Sequence, residues 1–228
     1  MTQQDLIALS EVSLFNNVDI LDLEHFFKDF SVQTQTYDDA QLIAQQGELY
    51  IELIFILHGK AAASMTAPNG KVVRLETLQG PCAAASAVLF SSQKALPVTL
   101  HSIQSSQILR IPEDTIVTLM QSFPAFLRAY LRENGDKLLF LAEKIRLFQF
   151  KSLKQKLIGH FLMLAARQER DEIEMVYSRE DLSQLMGVAR PSLSREFSNL
   201  VNAGLIEAKG KKVRFINKAG LMKMLQEE

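Results

Sequence analysis

The side chains with the clearest chemistry lie between residues 178 and 218. If residues 190–203 form a helix, Arg190, Ser192, Arg195, Ser198 and Asn199 share its exposed face, with Ser194 beside Arg195. These are donor-rich side chains suited to base edges and phosphates. Ser178 lies upstream, and Lys209, Lys211 and Lys212 cluster downstream. Between Ser178 and Lys218 there are eight Lys/Arg against four Asp/Glu. The chemistry this implies is recognition of double-stranded DNA. The competing reading is a module of the same shape used for protein contacts, since fold does not imply function.

Other reactive residue types form no pattern. His25, His58, His101 and His160 are scattered without metal-ligand spacing and read as surface or satisfied histidines. Cys82 is the single cysteine, which excludes an intramolecular disulfide and a four-cysteine zinc or iron–sulfur site within one chain. A lone thiol is more often a small buried hydrophobe than a redox centre. Met163, Met175, Met186, Met222 and Met224 sit among apolar residues and read as core. There is no P-loop, nucleophile elbow or paired-carboxylate signal, so no metal site and no enzyme reading has a positive feature.

Length and composition set the frame for these residues. A chain of 228 residues, 47% hydrophobic and 22% charged, holds one large domain or two modest ones. Residues 1–150 carry 11 Lys/Arg and 16 Asp/Glu (11 − 16 = −5), and residues 151–228 carry 14 and 10 (14 − 10 = +4). That asymmetry also points the C-terminal part at nucleic acid. The start has no basic region followed by an apolar run, and the near-apolar stretch Gly80 to Phe90 is too short to span a bilayer. The expectation is a cytoplasmic protein in a reducing compartment, with no membrane partner.

The elements that position the C-terminal residues are marked by local signals. Ser178 with Asp181 three residues later reads as a capping box, opening a helix from Arg179 to Met186 that buries Leu182, Leu185 and Met186. Gly187 permits the positive φ of a tight turn, and Val188 reads as a buried turn residue. Pro191 suits the first turn of a second helix running to about Ala203, with Leu193, Phe197, Leu200 and Val201 inward and Gly204 as its stop. Two strand-like runs, 205–208 and 213–216, flank a basic turn. Together these make a winged helix-turn-helix.

Upstream, a helix beginning at Pro124 carries Leu127, Leu131, Asn134, Leu138, Leu141, Ile145 and Phe148 at steps of 4, 3, 4, 3, 4 and 3. This heptad seam points to pairing with a second copy, with Asn134 as a polar member that sets register. The same spacing also fits a helix packed on its own domain. The helix should end near Phe150, with Ser152 capping the next one. Residues 37–112 read as short strands (54–57, 61–65, 72–75, 98–100, 107–111), with Asn69-Gly70 as a hairpin signal. One or two short helices are expected in residues 1–30. The expected fold is α+β: a β-roll sensor domain over 1–123, a long dimerisation helix over 124–150 and a winged helix-turn-helix over 151–228.

With that order of elements the sequence resembles the cyclic-AMP receptor protein and fumarate–nitrate regulator (CRP/FNR) family of bacterial transcription regulators. The resemblance spans nearly the whole chain. It is most specific from Leu182 to Phe215, through Gly187, Arg190, Ser194-Arg195, Gly204-Leu205-Ile206 and Gly210-Lys211. It implies a cupin-like, cyclic-nucleotide-binding-like roll, a homodimer on two-fold related half-sites, and RNA polymerase as a partner. It also places Arg190 and Arg195 at the family's base-reading and phosphate-contacting positions. Pro191 stands where some members use an acidic residue for a cytosine, so the target sequence should differ.

The sensor half departs from the family. Aligned on Leu89-Phe90 and Pro97-Val98-Thr99, the family's Gly-Glu for the ribose falls at Ala85-Ser86 and its phosphate-binding Arg at Ala95, next to Lys94. Both charged anchors are missing, as are the cysteines of iron–sulfur members. Cyclic AMP is therefore not expected, and the effector region is placed around Cys82, Ala85, Ser86 and Ala95. Haem is a further option, because some family members sense gases with it, though no residue marks its ligand. The reading is a homodimeric, sequence-specific DNA-binding regulator, with a haem-based sensor or a ligand-independent regulator as alternatives. Operator, regulated genes, direction of regulation and effector are not written in the sequence.

Overall fold

A computed structural model describes residues 1–30, 32, 34–67, 69, 70 and 72–226, with the backbone alone at 226. The chain packs into two compact units, residues 1–135 and 136–228. Among the described residues no helix is long and apolar enough to cross a membrane.

The first unit opens with α1 (Gln3–Ser10), a 3-10 turn (Ser13–Phe15) and α2 (Ile20–Lys28). Thr2 and Asp5 form a reciprocal capping box on α1, and the Asp19 carboxylate caps α2. Strands follow as β1 (Thr34–Tyr37), β2 (Leu42–Ala44), β3 (Glu52–His58), β4 (Lys60–Thr66), β5 (Val72–Gln79) and β6 (Cys82–Ala84). A short helix α3 (Ser86–Leu89) precedes β7 (Thr99–Ser102) and β8 (Ser106–Pro112). The strands form two antiparallel four-stranded sheets, ordered β1-β8-β3-β6 and β2-β7-β4-β5. This is the expected roll, entered three residues earlier than position 37.

The apolar run Leu53–Leu57 makes β3 a central strand with both faces covered, and all five residues are buried. Gly59 turns β3 into β4 at φ +91, where a Cβ would lie 2.4 Å from Ser106 Oγ and 2.5 Å from the Ser105 carbonyl. Only glycine fits that position. β4 and β5 form the expected hairpin, pairing from Thr66 with Val72 to Lys60 with Gln79. Gly70 takes positive φ there, while Pro68 and Lys71 of the expected turn lie outside the described residues.

After α4 (Glu113–Ser122), helix α5 runs from Pro124 to Leu147. Phe126 and Tyr130 are buried in the first core, where Phe15 meets Phe126 at 4.8 Å and Phe55 at 5.8 Å between ring centroids. Leu147 is buried in the second core. This differs from the expected boundaries at 123/124 and 150/151. The units divide at Gly135–Asp136, within the helix, whose two halves bury side chains in different cores.

The second unit contains the rest of α5, α6 (Leu153–Gln168), β9 (Glu172–Glu174), α7 (Arg179–Met186) and α8 (Arg190–Asn202). It ends with β10 (Ile206–Lys209), β11 (Lys212–Phe215) and α9 (Lys218–Gln226). Ser152 caps α6 through a capping box with Gln155, as expected. Leu157, Ile158, Phe161, Leu182, Leu193, Phe197, Leu200 and Val213 form its core. Strand β9, which carries too few residues for a sequence signal, joins β11 as the third strand in the order β10-β11-β9.

Candidate nucleic-acid interface

The helix-turn-helix follows from its local chemistry. Ser178 Oγ accepts the Asp181 amide at 3.1 Å and donates to Asp181 Oδ2 at 2.6 Å, which starts α7. Gly187 ends α7 at φ 70, and Val188 is half-buried in the turn. Arg190 then opens α8, with Pro191 in its first turn, where a missing amide costs no helical hydrogen bond. Leu193, Phe197 and Leu200 are buried. Val201, expected with them, is 39% exposed, because it lies at the flank of the helix beside Ser198.

The rest of the α8 surface is open. Arg190, Ser192, Ser194, Arg195, Ser198 and Asn199 are all exposed. Arg195 makes no hydrogen bond or ion pair among the described residues. Arg190 Nε stands 3.9 Å from Glu180 Oε2, Asn199 Nδ2 donates to Glu196 Oε2 at 3.0 Å, and Ser198 Oγ donates to the Ser194 carbonyl at 3.1 Å. Exposed pairs of this kind are weak and yield readily to a polyanion. Ser178 differs: its hydroxyl is committed to the helix cap, so its part here is to hold α7.

The wing places Lys209 opposite Lys212 across the β10–β11 hairpin, with Gly210 at φ +61 and Lys211 between them. All three lysines are exposed, and Lys212 Nζ lies 3.9 Å from Glu172. A residue the sequence reading passed over packs against α8. The Arg179 guanidinium sits 3.1 Å over the Phe197 ring, with Nη1 buried and unpartnered among the described residues. Desolvation by burial lowers its pKa. It lines a groove with Ser194, Ser198, Asn202 and Ala208. Its only sequence signal was an arginine at the first position of a helix.

Along α5, Leu131, Leu138, Leu141, Ile145 and Phe148 are 61%, 68%, 54%, 70% and 64% exposed, and Leu127 is half-buried. Asn134 differs from its expected place as a seam residue. Its Nδ2 donates to the Tyr130 carbonyl at 2.9 Å and its Oδ1 accepts from Ser86 Oγ at 3.2 Å, so the amide is turned to its own unit.

The residues expected at an effector pocket lie in different surroundings. Ser86 is fully buried, but its Oγ donates to Glu133 Oε1 and Asn134 Oδ1, each at 3.2 Å, and Tyr130 donates its hydroxyl to the Ser86 carbonyl. Ala85 is half-buried at φ 51, and Cys82 is half-buried on β6. Ala95 is exposed, bridged to Leu49, and does not point into the roll as expected. Neighbouring Lys94 is held by an ion pair with Glu113. Met222 is likewise exposed rather than core, on the outer side of α9.

A second polar cluster lies inside the C-terminal unit. His160 Nδ1 is 2.8 Å from Glu143 Oε1, and Tyr177 donates to Glu143 Oε2 at 3.2 Å. Hydrogen bonding from His160 holds the Glu143 carboxyl below its ordinary 4.5, so Nδ1 carries the hydrogen. Desolvation and the nearby carboxylate push the Tyr177 phenol up to about 12. A lowered folded value means this carboxylate's contribution to stability is fully present above about pH 4.5 and is lost as pH falls through the folded value. Thermal unfolding of wild type against Glu143→Gln should therefore show a wild-type advantage that is steady near neutrality and shrinks as the pH is taken down through and below the ordinary carboxylate range. An advantage that grows on acidification would contradict the assignment. No group of His, Cys, Asp and Glu suited to a metal ion occurs among the described residues.

Residues 155–224 match the Crp-like helix-turn-helix domain. The chain is 24% identical over 130 residues to the transcriptional activator protein FnrA of Stutzerimonas stutzeri, covering 55% of this chain and 53% of that one. It is 22% identical over 126 residues to the transcriptional activator protein Anr of Pseudomonas aeruginosa, covering 53% and 52%. The chain thus spans about half the length of the curated relatives it matches. Among solved structures, DNR from Pseudomonas aeruginosa superposes with a TM-score of 0.51 at 18% identity over 98% of both chains. That likeness shows a shared fold.

Proposed function

We propose that this chain, which belongs to the CRP/FNR family of transcription regulators, is a sequence-specific DNA-binding regulator that acts as a homodimer in the cytoplasm and is not an enzyme. The observation that carries the reading is the exposed polar face of α8, Arg190 to Asn199, next to the basic wing. On this reading Arg190 and Arg195 reach base edges in the major groove, while Lys209, Lys211 and Lys212 meet phosphates. Two copies paired along the exposed residues of α5 present two recognition helices to half-sites about 34 Å apart. RNA polymerase is the further partner that family likeness suggests. Selection from random duplex DNA, followed by anisotropy titration at several salt concentrations, tests the reading. Binding should be sequence-selective and fall with salt. Equal, salt-insensitive affinity for all sequences would overturn it.

The signal is not a cyclic nucleotide. Holding a phosphate inside a roll needs a fixed cation or several aimed amides, because desolvating an unpaired charge is expensive. Ala95 is exposed, Lys94 is paired with Glu113, and the Arg110 guanidinium is bonded to the Ile43 carbonyl. Ser86 offers no carboxylate for a ribose, and its hydroxyl is engaged with α5. Losing two charge-assisted hydrogen bonds costs roughly 1.5–3 kcal/mol each. That weakens binding about a hundredfold or more. Calorimetric titration with cyclic AMP and cyclic GMP should show no micromolar binding, and such binding of either would refute the claim.

A further inference from the structure

Glu143 connects the second half of α5 to the DNA-binding elements in a directional way. It is 8% exposed and bonds to two separate elements, His160 on α6 and Tyr177 in the segment before α7. Three further contacts of this half-helix are softer. Leu147 is buried, Phe140 meets the Tyr177 ring edge-on at 5.7 Å, and Arg146 reaches the Met163 sulfur at 3.6 Å. Apolar contacts are non-directional and leave rotation and sliding open, whereas a carboxylate with two donors from two elements does not. His160 adjoins Phe161, whose ring packs on Phe197 of α8 at 5.2 Å, so the chain of contacts continues to the recognition helix.

The geometry of α5 places this bracket opposite the exposed apolar residues. At about 100° per residue, Glu143 lies on the face away from Leu138, Leu141 and Ile145. A buried charged bracket is an inefficient way to gain stability, because desolvation offsets the attraction, and well-packed apolar residues do as well or better. Here the cost is larger still, since His160 Nε2 is buried without a partner among the described residues. What a buried polar contact gives that apolar packing does not is a single register.

We infer that Glu143, with His160 and Tyr177, is a positioning residue for DNA recognition: it sets the rotation of the recognition helix relative to the pairing face of α5, and so the half-site spacing the protein accepts. This rests on the reading that two copies pair along that face. The test is anisotropy with full-length protein on a selected palindrome, on the same palindrome with its half-sites moved apart by one base pair, and on a single half-site. Wild type should prefer the selected spacing. Glu143→Leu should keep half-site affinity within about twofold and reduce the spacing preference about tenfold, the size of coupling expected within a buried network. Tyr177→Phe, which removes one arm and leaves the core intact, should shift the preference in the same direction. Glu143→Gln, which keeps hydrogen bonding, should restore most of it. An unchanged spacing preference in Tyr177→Phe and in any folded Glu143→Leu protein would overturn the inference. So would a loss of equal size on half-site and palindrome, which would make the cluster merely structural. A wild type indifferent to spacing would overturn the pairing reading and this inference with it.

Discussion

Placing Lys at both Leu138 and Ile145 should convert the protein to a monomer. Both side chains are exposed in the single chain, at 68% and 70%, and lie one heptad apart on the same face of α5. The substitutions therefore leave the core of each unit untouched, and each unit should fold as before. In a paired helix the same positions are buried, and an unpaired ammonium buried there costs several kcal/mol. Analytical ultracentrifugation at micromolar concentration should show a single-chain species near the mass of 25.7 kDa. Its affinity for DNA should no longer depend on half-site spacing. A double variant that still sediments as a dimer would mean the exposed face has another role.

Arg195→Ala should weaken binding to a selected site by about 1–3 kcal/mol, the worth of a good bidentate contact to a base. That is roughly five- to two-hundredfold in affinity. Arg195 is exposed on α8 and has no competing partner among the described residues, so its removal is not offset by freeing another group. Arg190→Ala should fall in the same range, slightly reduced by its exposed pairing with Glu180. Lys211→Ala provides the contrast. A phosphate contact from the wing should weaken all sequences alike and lower the salt slope by about one unit. Unchanged affinity in both arginine variants, measured by fluorescence anisotropy, would rule out this placement of the recognition surface.

The DNA-binding half was legible because its signals are local. Ser178 and Asp181 are three residues apart, and Gly187 and Pro191 mark a turn and a helix start within one short segment. The inward spacing of Leu193, Phe197 and Leu200 fixes which face α8 shows. Each of these rests on backbone geometry within a few residues, so the exposed positions from Arg190 to Asn199 follow without tertiary information. The roll was legible as strand-like runs and one hairpin. Its two-sheet pairing, such as β3 with both β8 and β6, was not, because each pairing joins runs that read alike.

Residue types, spacing and caps by themselves determined the succession of roll, long helix and winged helix-turn-helix, the polar face of the second helix with the basic wing, and the heptad spacing of apolar residues along α5. Only the tertiary structure decided what each seam or pocket position touches. Asn134 reads as a seam residue until Ser86, 48 residues earlier, takes its amide. Ala95 reads as a pocket residue until its exposure is seen, and β9 exists only because β11 pairs with it. Glu143 and His160 carried no signal, being 17 residues apart on different helices. The helix α5 reads as one uninterrupted element, yet its halves bury Phe126 and Leu147 in separate cores. Local rules specify which face a residue occupies. What occupies the space opposite that face depends on chain closure over long separations, and it is the folded packing that supplies it.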